Sequence, residues 1–387
     1  MRDNSNSNAI VDMNLLFASI ILVAIGVVMV YSASIAYAAS DSAINSQYYY
    51  LIRHVGYIIV GMVAGVIAFN VPTTFWNKHA VKIAVIVIML LIAVLIPHVG
   101  RTVNGAKRWI GIGLLNLQPS ELAKLGMAIY LSDYVCGKSL SLKRFWHDLV
   151  PVLIAIGLVS GLLLLEPDMG STTVVFIISL GILYMANIDK KIIVGLSSIG
   201  AVGFVLLILM EPYRMRRVLG FINPWEDALG KGYQLTHSLL AVGHGGWFGV
   251  GLGNSIEKLF YLPEAHTDFI LAIIAEETGV VGVSVIILLF WIIFYRGFSV
   301  IGRDAKNLPN RMFQSLLAQG ISIWFFSQAV VNIGVAVGIL PTKGLTLPFV
   351  SFGGSSILIS CIAVGILLKV DYENKKIKRL NKEKSIQ

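Results

Sequence analysis

Tyr261-Leu-Pro-Glu-Ala-His-Thr-Asp-Phe269 runs without a break into an apolar stretch, Ile270 to Tyr295, that is long enough to cross a bilayer. The join puts Glu264, His266 and Asp268 at the mouth of a hydrophobic helix. Ionisable side chains in such a place are costly unless they meet water, one another or a ligand. The stretch therefore reads both as a membrane span and as the candidate site.

Apolar runs of this kind recur along the chain. Its 387 residues are 56% hydrophobic and only 13% charged, with a mean hydropathy of +0.79, which is more apolar surface than a soluble domain can hide. A span needs roughly 20 apolar residues, and counting such runs gives about ten. They lie near 13–37, 48–70, 80–97, 119–136, 148–165, 170–187, 191–211, 267–295, 312–338 and 354–370. The runs are continuous rather than alternating and exceed the roughly 10 residues of a barrel strand. We expect an all-α polytopic membrane protein with a long extracytoplasmic loop between helices 7 and 8. Its parts would be a short cytoplasmic tail at 1–12, one membrane domain at 13–370 with that loop at 212–266, and a basic cytoplasmic tail at 371–387. Ala36-Tyr-Ala38 resembles a signal-peptide cleavage site, but the apolar core before it is too long for one and the leading tail holds a single basic residue, Arg2, so a retained span is expected. Cys136 and Cys361 have no metal-type spacing and read as free thiols.

Lysine and arginine orient the spans. With the N-terminus inside, most of the 30 basic residues fall in cytoplasmic segments, so both termini are expected there. The run Lys375, Lys376, Lys378, Arg379, Lys382 and Lys384 reads as an orienting signal touching anionic headgroups. No aromatic residue follows Tyr372, and nucleic acid is not an expected partner.

Two connections on the outer side, 98–118 and 212–266, are longer than mere connectors, and the site is expected to face outward. They carry Arg101, Lys107 and Arg108, and Arg214, Arg216 and Arg217, on the side usually poor in such residues. An anionic ligand would account for them, since guanidinium forks suit phosphate oxygens. The alternative is lipid headgroups, or pairing with Glu166, Asp168 and Glu211. Glu121 and Lys124 in Gln118-Pro-Ser-Glu-Leu-Ala-Lys124 lie three apart on one helix face, as an ion pair inside the membrane or with Lys124 lining a substrate path. Glu166-Pro-Asp-Met-Gly-Ser171 reads as a tight turn whose two carboxylates are structural or solvated, with cation ligation as the alternative. Gly243-His-Gly-Gly-Trp-Phe-Gly-Val-Gly-Leu-Gly-Asn254 follows no strand, so it reads as irregular backbone dipping between helices, not as a nucleotide loop. Leu340-Pro-Thr-Lys-Gly-Leu-Thr-Leu-Pro-Phe-Val-Ser-Phe-Gly-Gly-Ser-Ser356 cannot be a continuous helix and reads as re-entrant or cavity-lining, with Lys343 near the outer face and Ser355 among its polar groups. Asn332 reads as a helix-packing hydrogen bond.

These motifs, together with Leu262-Pro-Glu-Ala-His-Thr-Asp-Phe269 and Asn104-Gly-Ala-Lys-Arg-Trp109, resemble the SEDS family (shape, elongation, division, sporulation) over nearly the whole chain. The Glu-Ala-His-Thr-Asp form and the Pro-Thr-Lys-Gly-Leu-Thr-Leu-Pro run are more similar to its division branch than to its elongation branch. The resemblance implies a ten-helix enzyme of the bacterial inner membrane that polymerises peptidoglycan from lipid II. It also implies partnership with a class B penicillin-binding protein transpeptidase and other division membrane proteins. By the same resemblance Asp268 stands at the family's invariant aspartate, Arg108 and Lys124 align with basic residues of a central cavity, and Glu264 and His266 flank the aspartate. Phe260 departs from division members that carry an acid there, leaving any such role to Glu257 or to none. Ala275 replaces the commoner glycine, a packing change.

The chemistry of joining a lipid-pyrophosphate sugar to a hydroxyl needs a base and positive charge for the departing pyrophosphate. Asp268 is the candidate catalytic residue, with Arg101, Lys107, Arg108, Lys124, Glu264, His266, Lys343 and Ser355 as candidate substrate-binding residues. No metal ligand set is assigned, and a divalent cation, Mg or Mn, is left open. The rival readings are a lipid II flippase and a non-catalytic division scaffold.

Overall fold

The computed structural model describes residues 11–40, 46–103, 106–112, 115–136, 145–299 and 309–384. Thirteen α-helices occur among them. Ten match the expected spans: α1 (Met13–Ser40), α2 (Tyr49–Asn70), α4 (Ala80–Leu95), α5 (Pro119–Val135), α6 (Val150–Leu165), α7 (Met169–Met185), α8 (Lys190–Leu209), α11 (Ile270–Ser299), α12 (Pro309–Ala336) and α13 (Gly354–Lys384). Seven candidate spans are long and apolar enough to cross a bilayer, and α4 and α7 are shorter and apolar. α5 falls outside that class because Glu121 and Lys124 interrupt it. The basic residues after Val370 continue α13.

α3 (Thr73–Lys78) is a short connector, while α9 (Pro212–Ile222) and α10 (Tyr233–Gly245) lie within the 212–266 connection. Within the stretch read as a loop, the described residues form a small antiparallel sheet of β1 (Gly100–Val103), β2 (Ala106–Ile112) and β3 (Leu115–Leu117), in the order β1-β2-β3. Arg101 pairs with Trp109 and Thr102 with Lys107, so Arg108 is the extra residue of a bulge in β2.

α2 packs most extensively against α13. Gly61 and Gly65 permit this: a Cβ on Gly65 would sit 2.7 Å from the Cys361 carbonyl oxygen, and one on Gly365 would sit 2.2 Å from that of Gly65. Small residues four apart are the usual means of bringing membrane helices close. α8, by contrast, rests mainly on α7 and α9 and buries only Ile192.

α11 is broken at Gly279, whose φ of 67° and ψ of −166° are not helical. The glycine-rich segment lies along the break and replaces the lost helix bonds. Val250 and Gly251 N–H donate to the Glu276 and Glu277 carbonyls at 2.9 and 3.1 Å, and Val280 and Val281 N–H donate to those of Gly246 and Trp247 at 3.0 and 3.2 Å. A Cβ on Gly279 would stand 2.5 Å from the Gly249 nitrogen and the Trp247 carbonyl. Gly279→Ala combines that overlap with a backbone conformation closed to L side chains, and should cost about 2–5 kcal/mol. The measurement is a thermal unfolding scan in detergent, with the variant melting well below the parent.

The two acids just before the break, Glu276 and Glu277, are paired. Glu277 meets Lys258 at 2.7 Å and accepts from Ser32 of α1, while Glu276 accepts from Ser255 and the Ile256 N–H. These contacts fix residues 246–258, and through them the chain that leads into Tyr261–Phe269.

Candidate active site

The segment between α12 and α13 enters the bundle rather than capping it. The Phe349 carbonyl lies where a Cβ on Gly26, midway along α1, would come within 2.6 Å of it. Irregular backbone at that depth requires partners, and polar side chains supply them. Asn332 donates to the Leu345 carbonyl at 2.6 Å and to that of Asp268 at 2.9 Å, so one amide joins the two loops. Gln328 donates to the Thr346 carbonyl at 2.8 Å, and Arg217 of α9 reaches that of Thr342 at 3.3 Å.

Asp268 ends a compact turn. Glu264 adopts φ 57°, and its carbonyl accepts from the Thr267 and Phe269 N–H groups at 3.1 and 3.2 Å. The Glu264 carboxylate accepts the Thr267 hydroxyl at 2.6 Å. The same turn is tied to the start of α13 by the Phe352 N–H, which donates to the His266 carbonyl at 3.0 Å. The Asp268 carboxylate then lies over Gly344, where a Cβ would be 2.7 Å from Oδ2. Gly344 leaves room for it.

Burial is the largest influence on the Asp268 carboxyl and pushes it up to about 7, with Glu264 and Asp168 raising it further and Arg108 and Arg217 opposing them. Four elements of the chain therefore converge on this carboxyl: β2, the α6–α7 turn, α9 and the 261–269 loop. Arg108 is aimed by its bulge, a device that redirects side chains. Its Nε donates to the Glu166 carbonyl at 3.1 Å and its Nη2 to that of Pro167 at 2.5 Å. Asp168 caps α7 by accepting the Ser171 N–H at 3.0 Å. The result is one half-buried carboxyl within electrostatic reach of two guanidinium groups, at the end of the bundle where the long connections lie.

A family model described as "Cell cycle protein", for FtsW, RodA and SpoVE, matches residues 13–376. The chain belongs to this family. Among curated relatives of this FtsW/RodA/SpoVE member, the "Probable peptidoglycan glycosyltransferase FtsW" of Burkholderia thailandensis is 50% identical, over 95% of this chain and 80% of that protein. The protein of the same name from Aromatoleum aromaticum is also 50% identical, over 92% of this chain and 87% of its own length. The expected nearness to the division branch agrees with these names. Among solved structures, a chain of "Structural coordination of polymerization and crosslinking by a peptidoglycan synthase complex" superposes with a TM-score of 0.75 at 30% identity, covering 94% of this chain and 98% of that one. The Thermus thermophilus rod shape determining protein RodA gives 0.67 at 28% identity, covering 94% and 97%.

The other expected site residues of this FtsW/RodA/SpoVE chain are dispersed. Arg101 and Lys107 are exposed on the sheet, Arg101 donating to Asn116 at 3.1 Å, and neither is among the charges acting on Asp268. Lys343 lies 4.0 Å from the Phe204 ring centroid and 3.5 Å from the Thr173 hydroxyl, and burial lowers it to about 8. Lys124 is fully buried between Glu121 at 2.8 Å and Gln328 at 2.9 Å, with the Trp324 ring beside it. His266 is buried among Tyr37, Tyr50 and Phe352, and that burial lowers its pKa, favouring the neutral imidazole. Ser355 donates to the Asn116 carbonyl and accepts the Gln118 N–H, both at 2.8 Å, tying α13 to the start of α5. Glu257 pairs with His237 at 2.7 Å, and Phe260 packs near Tyr37.

Asp168 and Arg217 act electrostatically on Asp268, which their motifs do not disclose. Arg217 was visible as one of three arginines, and Asp168 as one of two acids in a turn. Nothing in the linear pattern separates them from Arg216 or Glu166.

Proposed function

We propose that this chain is a peptidoglycan glycosyltransferase that polymerises lipid II into glycan strands during septal wall synthesis, with Asp268 as general base. The observation that carries the reading is the Asp268 carboxyl, raised to about 7 and within electrostatic reach of Arg108 and Arg217, in a chain of this family. A base titrating near the working pH combines availability with proton affinity.

In this mechanism the acceptor hydroxyl gives its proton to Asp268 as its oxygen bonds to C1 of the donor sugar. The bond from C1 to the pyrophosphate oxygen breaks, and the lipid pyrophosphate leaves with the electron pair. Arg108 and Arg217 stabilise that developing charge. Attack opposite the leaving group inverts C1, turning an α-linked donor into a β-linked glycan. Pyrophosphate is a good leaving group, so a single carboxylate suffices. Glu264 orders the turn that presents the base.

The active site would face the extracytoplasmic side of the bacterial inner membrane and both termini the cytoplasm, as the lysine and arginine distribution supports. A class B penicillin-binding protein transpeptidase is the proposed partner, in keeping with the synthase complex that this chain superposes on, together with other division membrane proteins. Among the described residues, no three His, Cys, Asp or Glu side chains form a group able to hold a metal ion.

The test is purified chain in liposomes with lipid II, alone and with the transpeptidase, read as a glycan ladder on a gel. Ladders are expected. Movement of labelled lipid II between leaflets without polymer, or no activity with either preparation, would overturn the reading in favour of a flippase or a scaffold.

A further inference from the structure

Glu166 closes α6 at the turn that holds Arg108. Its side chain is fully buried, and neither Oε1 nor Oε2 finds a hydrogen-bond partner among the described residues. Its own backbone carbonyl, with that of Pro167, is what the Arg108 guanidinium binds. Arg108 makes no ion pair among the described residues, although the carboxyls of Glu166 and Asp168 are both within electrostatic reach of it. Asp168 is engaged in capping α7.

We propose that Glu166 is a positioning residue for the anion site: its carboxyl stays protonated, so that Arg108 is held by neutral carbonyls and keeps its charge for the pyrophosphate of the lipid-linked donor. This rests on the function proposed above. A buried carboxylate without partners would cost several kcal/mol, a cost that a proton removes. If ionised, Glu166 would take the nearest guanidinium, since bidentate carboxylate pairing is stronger than two carbonyl contacts. Arg108 would then be drawn off and neutralised. Burial, reinforced by Asp168 and opposed by Arg108, raises Glu166 to about 8, which keeps it protonated at neutral pH.

The sign of the pH effect follows. Asp268 works deprotonated, so the rate rises with pH through about 7. Glu166 works protonated, so the rate falls through about 8. Asp168 and Arg108 are the charged groups facing Glu166, and Lys343, also lowered to about 8, is the other group at this end able to produce an alkaline limb.

The experiment compares polymerisation of lipid II at pH 9 and pH 7 in the parent, Glu166→Gln and Lys343→Arg. One unit above its pKa a group is about one-tenth protonated, while Asp268 goes from about half to almost fully deprotonated between pH 7 and pH 9, so the parent ratio should be about 0.2. Glu166→Gln cannot ionise, and its ratio should be about 2, the rise due to Asp268 alone. Lys343→Arg, which cannot lose its charge, should keep a ratio of about 0.2. A Glu166→Gln ratio as low as that of the parent, or a Lys343→Arg ratio of about 2, would overturn the proposal. Two further readings do not depend on polymerisation. An infrared difference spectrum at pH 7 should show a protonated buried carboxyl that disappears in Glu166→Gln. Lipid II binding should weaken about tenfold between pH 7 and pH 9 in the parent only. Absence of the carboxyl band, or equal weakening in Glu166→Gln, would also overturn it. A parent that binds lipid II with this pH dependence yet makes no polymer would refute the proposed function and leave the role of Glu166 standing.

Discussion

Asp268→Asn should bring glycan ladders down by about 10²–10⁴-fold, the range supplied by a positioned general base. The substitution keeps size and shape, and the backbone carbonyl that Asn332 holds at 2.9 Å is untouched. It removes the only feature the reaction requires there, an oxygen able to take the acceptor's proton. Burying an amide in place of a carboxyl that is raised to about 7 carries little desolvation penalty, so the variant should fold and still bind donor.

The second large effect is at Arg108. Arg108→Ala should lower kcat/KM for lipid II by about 10²–10³-fold, the usual loss for one preorganised charge on a developing anion. Arg108→Lys should recover little of it. An ammonium cannot take both the Glu166 and Pro167 carbonyls in the planar geometry that the guanidinium uses at 3.1 and 2.5 Å, and it would not be held by the bulge in the same direction. Steady-state kinetics at saturating acceptor measure both variants. A loss confined to KM would mean that Arg108 binds ground state and transition state alike.

The ten long helices were legible because membrane spans announce themselves by run length. α9, α10 and the three-stranded sheet were not, since seven residues or fewer per strand between glycines carry no strong period. The break in α11 was also hidden: Gly279 lies inside a stretch long enough to be one span, and only its partner segment around Gly246–Gly251, distant in sequence, shows why it is glycine. Motif spacing placed Asp268 and Glu264 together because they share one turn. It could not show that Arg108, Asp168 and Arg217, from three other segments, come within electrostatic reach of Asp268. Lys124, His266 and Ser355 are each buried and engaged with protein, contacts that their positions in the linear pattern do not disclose.

The most direct measurement is single-turnover polymerisation of lipid II by the parent and by Asp268→Asn, from about pH 5.5 to about pH 8, with both proteins matched for folded amount and for bound donor. The expected result is a parent rate that climbs about tenfold per pH unit and levels near pH 7, and a variant rate about 10²–10⁴-fold below that plateau with no such climb. Polymer from Asp268→Asn at the parent rate, or a parent rate that does not change across that range, would contradict it.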